Sequence, residues 1–451
     1  MKKIFIIGAG LSATVLIDYL LKHSQKYDWQ VTVGDISLPS AQAKTAGYPA
    51  ARAIEFNIND PELRAAEILQ ADIVVSMLPG SMHSLVATEC LELGKHMLSP
   101  SYVTPELKAM DSAVRQKGLA FLNELGVDPG IDHMSAMRVI DHIKACGGEL
   151  LSFKSFCGGL VAPDCDDNPW NYKFSWNPRN VVVAGQGVAR FKDHGQCRYV
   201  PYQQLFSTLS QVEMPGYGQF EVYPNRDSIH YCELYGLEDV PSILRGTMRR
   251  PGFSAAWNIF VQLGCTDDSY VMEDSHRLSY RQYLQSFLPR LNNKLAEENL
   301  ADFFALPRDS EIIKKIAWLG LFSDEIVGLE HASPAMIMQK ILKQKWSMAE
   351  QDRDLLIMQH QFIFDQDGQK KKIISSMSRE GTDRANTAMA YTVGLPLAIA
   401  TKLLATAAIN PTGVQIPTSA EIYNPVLREL EELGVKFSEQ KSHLTEDILL
   451  E

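Results

Sequence analysis

"KIFIIGAGLSATVLIDYLLKHS", residues 3–24, decides the fold. A short apolar run leads into Gly8, Gly10 and Ala13, spaced G-x-G-x-x-A, and then into a helical pattern with Val15, Leu16, Tyr19 and Leu20 on one face. A strand, a glycine turn and a helix in that order open a dinucleotide-binding sheet. Gly8 permits the tight turn, Gly10 lets backbone approach a pyrophosphate, and Ala13 keeps the helix close to the strand. The N–H groups of Leu11, Ser12 and Ala13, at the positive end of the helix dipole, are then placed to meet phosphate oxygens.

The alternation continues outward from this unit. "QVTVGD", "AIEFNI", "DIVVSMLP", "KHMLSP" and "LAFLNE" read as strands, separated by amphipathic helical segments. Near-continuous apolar strands alternating with helices predict a parallel sheet covered on both faces. The fold class is α/β: a Rossmann-type doubly wound parallel sheet over 1–125, plus a mixed α/β substrate domain with a helical insert. The substrate domain is expected over 126–255 and 355–418, where Gly, Pro and aromatics become frequent. "HQFIFDQDGQKKKIISSM" reads there as a hairpin turning at Asp367-Gly368. The insert is expected over 256–354. Residues 419–451 are expected to form C-terminal helices that return to the first domain.

Ligands of such sheets lie in the crevice beyond the carboxyl ends of the strands. Asp35 ends the second strand at the position from which an acid accepts hydrogen bonds from ribose hydroxyls, with Ile36 beside it. A carboxylate there repels a 2′-phosphate, so NAD is expected rather than NADP. Leu78, Pro100 and Ser101 follow the fourth and fifth strands and face the same crevice, as does "NELGVDPGIDH" (123–133), in which Val127 and Pro129 flank Asp128. Asp132 is expected to cap the helix that follows, His133 to be structural, and Glu124 has no assigned role.

Composition narrows the function classes. With 451 residues, 45% hydrophobic and 22% charged, the chain is globular and multidomain. A net charge of −11 and the lack of a basic stripe argue against nucleic acid. No uninterrupted apolar run reaches the roughly 20 residues of a bilayer span, and "MKKIFIIGAG" is read as a strand rather than a leader. Seven cysteines without CxxC or Cys/His spacing suggest reduced thiols, a cytoplasmic location and no metal site.

Several motifs recur in a fixed order: "NELGVDPGIDHMSAM", "FCGGLVAPDCDDNPWNYKFSWNP", "YPNRDS", "ILRGTMRRPGF" and "TVGLP". Together with the glycine motif they resemble the saccharopine dehydrogenase and saccharopine reductase family over nearly the whole chain. "YKFSWNP" looks closer to its NAD-dependent, glutamate-forming members. The resemblance implies oxidative cleavage of saccharopine, a secondary amine with three carboxylates, to L-glutamate and 2-aminoadipate 6-semialdehyde, and a homodimer. It implies that Ser101, Tyr102 and Asp128 line the substrate with Cys157, Gly158 and Gly159 beside it, and that Arg226 binds a substrate carboxylate. Arg245, next to Gly246 and Thr247, is a second candidate cation, since arginine binds carboxylates bidentately. Tyr102, Asp128 and Cys157 are the candidates for proton handling, with Asp128 first as an electrostatic anchor. Ser175 and Lys173 could reach ligand, and Ser175, Val127 and Pro129 are placed with the cofactor. The alternatives are a relative acting on another carboxylated secondary amine (carboxynorspermidine or an opine-like compound), an NADP-linked saccharopine reductase running in reverse, and a non-catalytic nucleotide sensor.

Overall fold

The computed structural model describes residues 1–289 and 294–444. Residues 290–293 of the helical insert and 445–451 of the C-terminal segment lie outside the described residues.

The first sheet contains β1 (Lys2–Ile7), β2 (Trp29–Asp35), β3 (Ala51–Glu55), β4 (Ile73–Ser76), β5 (His96–Leu98) and β6 (Ala120–Leu122). Its order is β6-β5-β4-β1-β2-β3, with every neighbouring pair parallel. Order reverses between β1 and β4, which opens the ligand crevice at their carboxyl ends. The apolar faces of β1 and of helix Thr14–Tyr27 supply the core, in which Ile6, Leu16, Ile17 and Leu20 are fully buried.

β7 (Glu149–Val161) starts the second sheet of nine strands. It pairs in parallel with Ser242–Arg249 and antiparallel with Asp354–Gln366, which forms a hairpin with Gln369–Glu380 through Asp367-Gly368. Helices from Phe253 to Trp346 pack against this sheet over an aromatic core that includes Trp170, Trp257 and Trp346.

From Ala388 onward the chain is placed differently from the sequence expectation. Helix Ala388–Ala405 has the length and composition to cross a bilayer, yet two thirds of it is buried inside the protein. It lies on helix Thr14–Tyr27, where a Cβ on Gly394 would stand 2.9 Å from Leu16 N and 3.3 Å from Ser12 O. Gly413–Gln415 then adds a seventh parallel strand to the first sheet, beside β6. Helix Ala420–Glu432 follows, but Ser438–His443 is a strand on the edge of the second sheet rather than a helix. Every residue of that strand is exposed and polar, so it carries no alternating apolar signal to read.

Candidate active site

The glycine loop is built for close approach. Gly8 has φ +106°, and a Cβ there would meet Met77 O at 3.1 Å. A Cβ on Gly10 would meet nothing within 4 Å, which leaves open space over the backbone. Gly10 caps the short turn Leu11–Ala13 that leads into helix Thr14–Tyr27; Leu11 is exposed, Ser12 half-buried and Ala13 buried. Lys44 reaches this loop, with Nζ 2.5 Å from Gly10 O and 2.7 Å from Thr14 Oγ1. Burial pushes its ammonium down to about 8, because both hydrogen-bond partners are neutral. Open backbone, a helix N-terminus and a cation without a bonded carboxylate fit a phosphate-bearing dinucleotide. Leu78 and Pro100 are half-buried after β4 and β5.

Asp35 does not present its carboxylate as expected. Oδ2 accepts from Ala9 N at 2.7 Å and Oδ1 from Ser37 N at 2.8 Å, so the side chain braces the glycine loop. Ile36 beside it is 73% exposed. Arg52 is held bidentately by Glu67 at 2.9 and 2.8 Å.

A cavity of about 710 Å³ runs from the carboxyl end of the first sheet across one face of the second. Pro100 and Tyr102 line it from the first domain, and Val127, Asp128 and Pro129 from the start of the segment that leads into the second. From the second come Cys157, Gly159, Arg226 and Thr247. The ladders explain this grouping: Thr247 sits opposite Cys157 on one side and Tyr223 on the other, so their side chains share a face. Arg226 stacks over the Tyr102 ring at 4.6 Å, joining the two domains across the opening. The Asp128–Pro129 peptide is cis.

Two family descriptions match the chain: "Saccharopine dehydrogenase NADP binding domain" over residues 4–122 and "Saccharopine dehydrogenase C-terminal domain" over 126–435. The chain belongs to the saccharopine dehydrogenase family. It is 31% identical to "Saccharopine dehydrogenase [NADP(+), L-glutamate-forming]" of Pyricularia oryzae, over 97% of this chain and 99% of the relative. Mouse mitochondrial "Alpha-aminoadipic semialdehyde synthase" is 32% identical over 98% of this chain, a match that spans 48% of the mouse protein. The apo structure of L-Glu-forming saccharopine dehydrogenase from Saccharomyces cerevisiae superposes with a TM-score of 0.88 at 30% identity, covering 98% of this chain and all of that one.

These family members correct the cofactor expectation. The matching nucleotide domain is described as NADP binding, and the fungal relatives are named NADP(+)-dependent. The NAD expectation rested on Asp35 facing a ribose, and its oxygens are instead taken up by Ala9 and Ser37.

Other expected members of the saccharopine dehydrogenase site fall outside the cavity. Arg245 is buried, 2% exposed, and pairs with Asp128 at 2.5 Å and with Asp132, while its guanidinium stands 4.0 Å over the Tyr231 ring. It therefore holds Asp128 from behind and is not a substrate cation. Burial opposes its charge, but Asp128, and then Tyr231 and Asp132, hold it well above its ordinary value. Asp132 does not cap the helix as N-cap; Gly130 occupies that position, and Asp132 accepts from Gly130 N at 2.5 Å as well as pairing with Arg245. Gly158 and Gly246 are close-packing positions, where a Cβ would meet Met248 O at 2.9 Å and Val222 Cγ1 at 2.5 Å. The Ser101 hydroxyl is 2.7 Å from His83 Nε2, and Ser175 Oγ is buried without a partner. Lys173 is tied to Asp167 and Asp352.

His133 is structural, as expected, and Glu124 acquires a role. His133 is fully buried between Tyr235 OH and Glu124 Oε2, each at 2.7 Å, and Glu124 Oε1 accepts from Val103 N. Burial lowers the imidazole, yet Asp132 and Glu124 outweigh it and raise His133 above its ordinary value. Sequence reading missed Arg249, Asn225, Asn180 and the segment from Val183 to Ala189, all of which contribute to the cavity wall. The pair "RR" at 249–250 carried the Arg249 signal, but nothing local distinguished which arginine faces inward.

Proposed function

We propose that the chain oxidises saccharopine to L-glutamate and 2-aminoadipate 6-semialdehyde, with NADP as the hydride acceptor. The observation that carries this reading is Asp128, which lines the cavity together with Arg226 and is fixed by the buried Arg245. When bound, the cofactor takes a hydride from the substrate carbon next to the secondary amine. The chain's residues would do the rest. Asp128 attracts the amine and accepts its proton as the carbon–nitrogen double bond forms. Water then adds to that carbon, the carbon–nitrogen bond breaks, and a proton passes to the departing glutamate nitrogen.

The electrostatics support this division of labour. Burial, and then Asp128, push the Tyr102 phenol up to about 12, so at neutral pH it donates hydrogen bonds rather than taking protons. Burial, then Asp128 and Asp132, push the Cys157 thiol well above its ordinary value, so it stays neutral too. Both can orient the attacking water while Asp128 handles charge. Lys44 and the open glycine loop support the nucleotide half.

The test is steady-state oxidation of saccharopine with NADP and with NAD. Turnover with a lower KM for NADP supports the reading. No reduced cofactor at saturating saccharopine refutes the substrate, and a strong preference for NAD refutes the cofactor.

A further inference from the structure

Ser76, His83 and Ser101 form a buried chain of hydrogen bonds at the crevice of the first sheet. His83 opens helix His83–Leu93, and its ring ties the carboxyl ends of β4 and β5 together. Nδ1 stands 2.8 Å from Ser76 Oγ, and Nε2 stands 2.7 Å from Ser101 Oγ. Ser76 is fully buried, His83 is 1% exposed and Ser101 is half-buried. Burial pushes the imidazole down to about 4, and the positive end of its own helix also opposes a charge there. Near neutral pH the ring therefore carries a single N–H, so the two bonds run in one direction.

Ser76 decides that direction. Among the described residues its hydroxyl bonds only to His83. Were Nδ1 to donate, the Ser76 proton would be left unpaired beneath the sheet surface, at the full cost of desolvating a donor. Ser76 therefore donates to Nδ1, and Nε2–H donates to Ser101 Oγ. The Ser101 proton is left over. Ser101 stands between Pro100 and Tyr102, which line the cavity, beyond the carboxyl end of β5 where ligands of such sheets lie.

We propose that His83 is a positioning residue that makes Ser101 a dedicated hydrogen-bond donor to a ligand oxygen, either a substrate carboxylate or the carboxamide carbonyl of the nicotinamide. Both offer only lone pairs at that oxygen. A hydroxyl that already accepts from the ring has its proton aligned before the ligand arrives and loses little freedom on binding. The assignment rests on the proposed function for the identity of the ligands, but not for the direction of the chain.

Saccharopine oxidation is measured for Ser101→Ala, His83→Leu, His83→Gln and the double variant Ser101→Ala with His83→Leu. Ser101→Ala should lower kcat/KM about 10-fold, the effect of one lost hydrogen bond. His83→Leu should lower it by a similar factor. The double variant should fall no more than about 2-fold further, because His83 acts through Ser101. His83→Gln, whose amide N–H reaches the place of Nε2–H, should stay within a few-fold of wild type. A raised KM for saccharopine alone assigns the acceptor to the substrate, and a raised KM for NADP alone assigns it to the cofactor. A merely structural histidine would lose activity equally in both His83 variants, and its loss would multiply that of Ser101→Ala. Multiplied losses overturn the assignment, as does wild-type kcat/KM in folded His83→Leu. Spectra of protein carrying ring-15N histidine read the direction without turnover, with the His83 signals identified by their loss in His83→Gln. A protonated Nε2 and a bare Nδ1 are expected; a protonated Nδ1 overturns the assignment, and this arm holds even where His83→Leu does not fold. If saccharopine is not oxidised, the proposed substrate fails, and the spectrum alone decides the direction.

Discussion

Replacing Arg245 with Met separates its two partners by how much each loses. The Asp132 side chain is 2% exposed and the Asp128 side chain 19%. Removing one member of a fully buried pair costs about 3–5 kcal/mol, because the remaining charge has no solvent to turn to. Asp128 opens onto the cavity, so its loss is closer to that of a surface pair, about 1 kcal/mol or less. The two together come to about 3–6 kcal/mol. At about 2.1 cal/mol/K per residue over 451 residues, each kcal/mol lowers the melting temperature by about 1 °C if the chain unfolds as one unit. Arg245→Met should therefore melt at least about 3 °C lower, and more if the second domain unfolds separately. Its kcat/KM should fall too, since Asp128 loses the group that orients it. Differential scanning calorimetry and saccharopine oxidation measure both. Adding Asp132→Asn removes the stranded buried charge and should recover more than half of the melting temperature while leaving activity low. Arg245→Met protein that melts within about 1 °C of wild type and retains kcat/KM would refute the positioning role.

Asp128→Asn should lower kcat about 10²- to 10⁴-fold, the range of a lost general base, with saccharopine turnover as the readout. Tyr102→Phe keeps the ring beneath Arg226 and should leave KM for saccharopine within a few-fold, whereas Tyr102→Ala should raise it as Arg226 loses its support. His360 is pushed down to about 3 by burial first and then by Arg245. Its folded value lies below the unfolded value of about 6.5, so its contribution is complete above pH 6.5 and is lost as pH falls toward 3. Melting temperatures of His360→Gln across pH 4–7 should fall less steeply than those of wild type; an unchanged slope would exclude His360 as a source of acid sensitivity. Gly394→Val puts a side chain into Leu16 N and should cost about 1–3 kcal/mol of overpacking and weaken NADP, measured by melting and by cofactor titration.

The features legible in the sequence are those set by local chemistry. The glycine turn, the strand–helix alternation and the placement of Asp128 after β6 follow from spacing alone. Orientation was not legible. Asp35 stands where a ribose-binding acid would, but two backbone N–H groups turn it into the loop. Arg245, Thr247 and Arg249 share one side of a strand, yet helix Ile131–Ala145 covers the first while the other two reach the cavity. Which arginine meets ligand depends on what packs over each position, a long-range property that a motif does not carry. The last strand was invisible for a different reason: an exposed, charged edge needs no apolar alternation.

The chain leaves its first sheet at β6 and comes back for a seventh strand nearly three hundred positions later, between two elements that cross the domain boundary again. The nucleotide-binding half is consequently not a cassette. Cut after residue 125, it would expose the β6 backbone that Gly413–Gln415 covers and the helix surface that Gly394 touches. Cofactor preference in this scaffold has to be re-engineered in place, by substitution around Ile36 and Lys44, because a transplanted domain would arrive without the strand that finishes it.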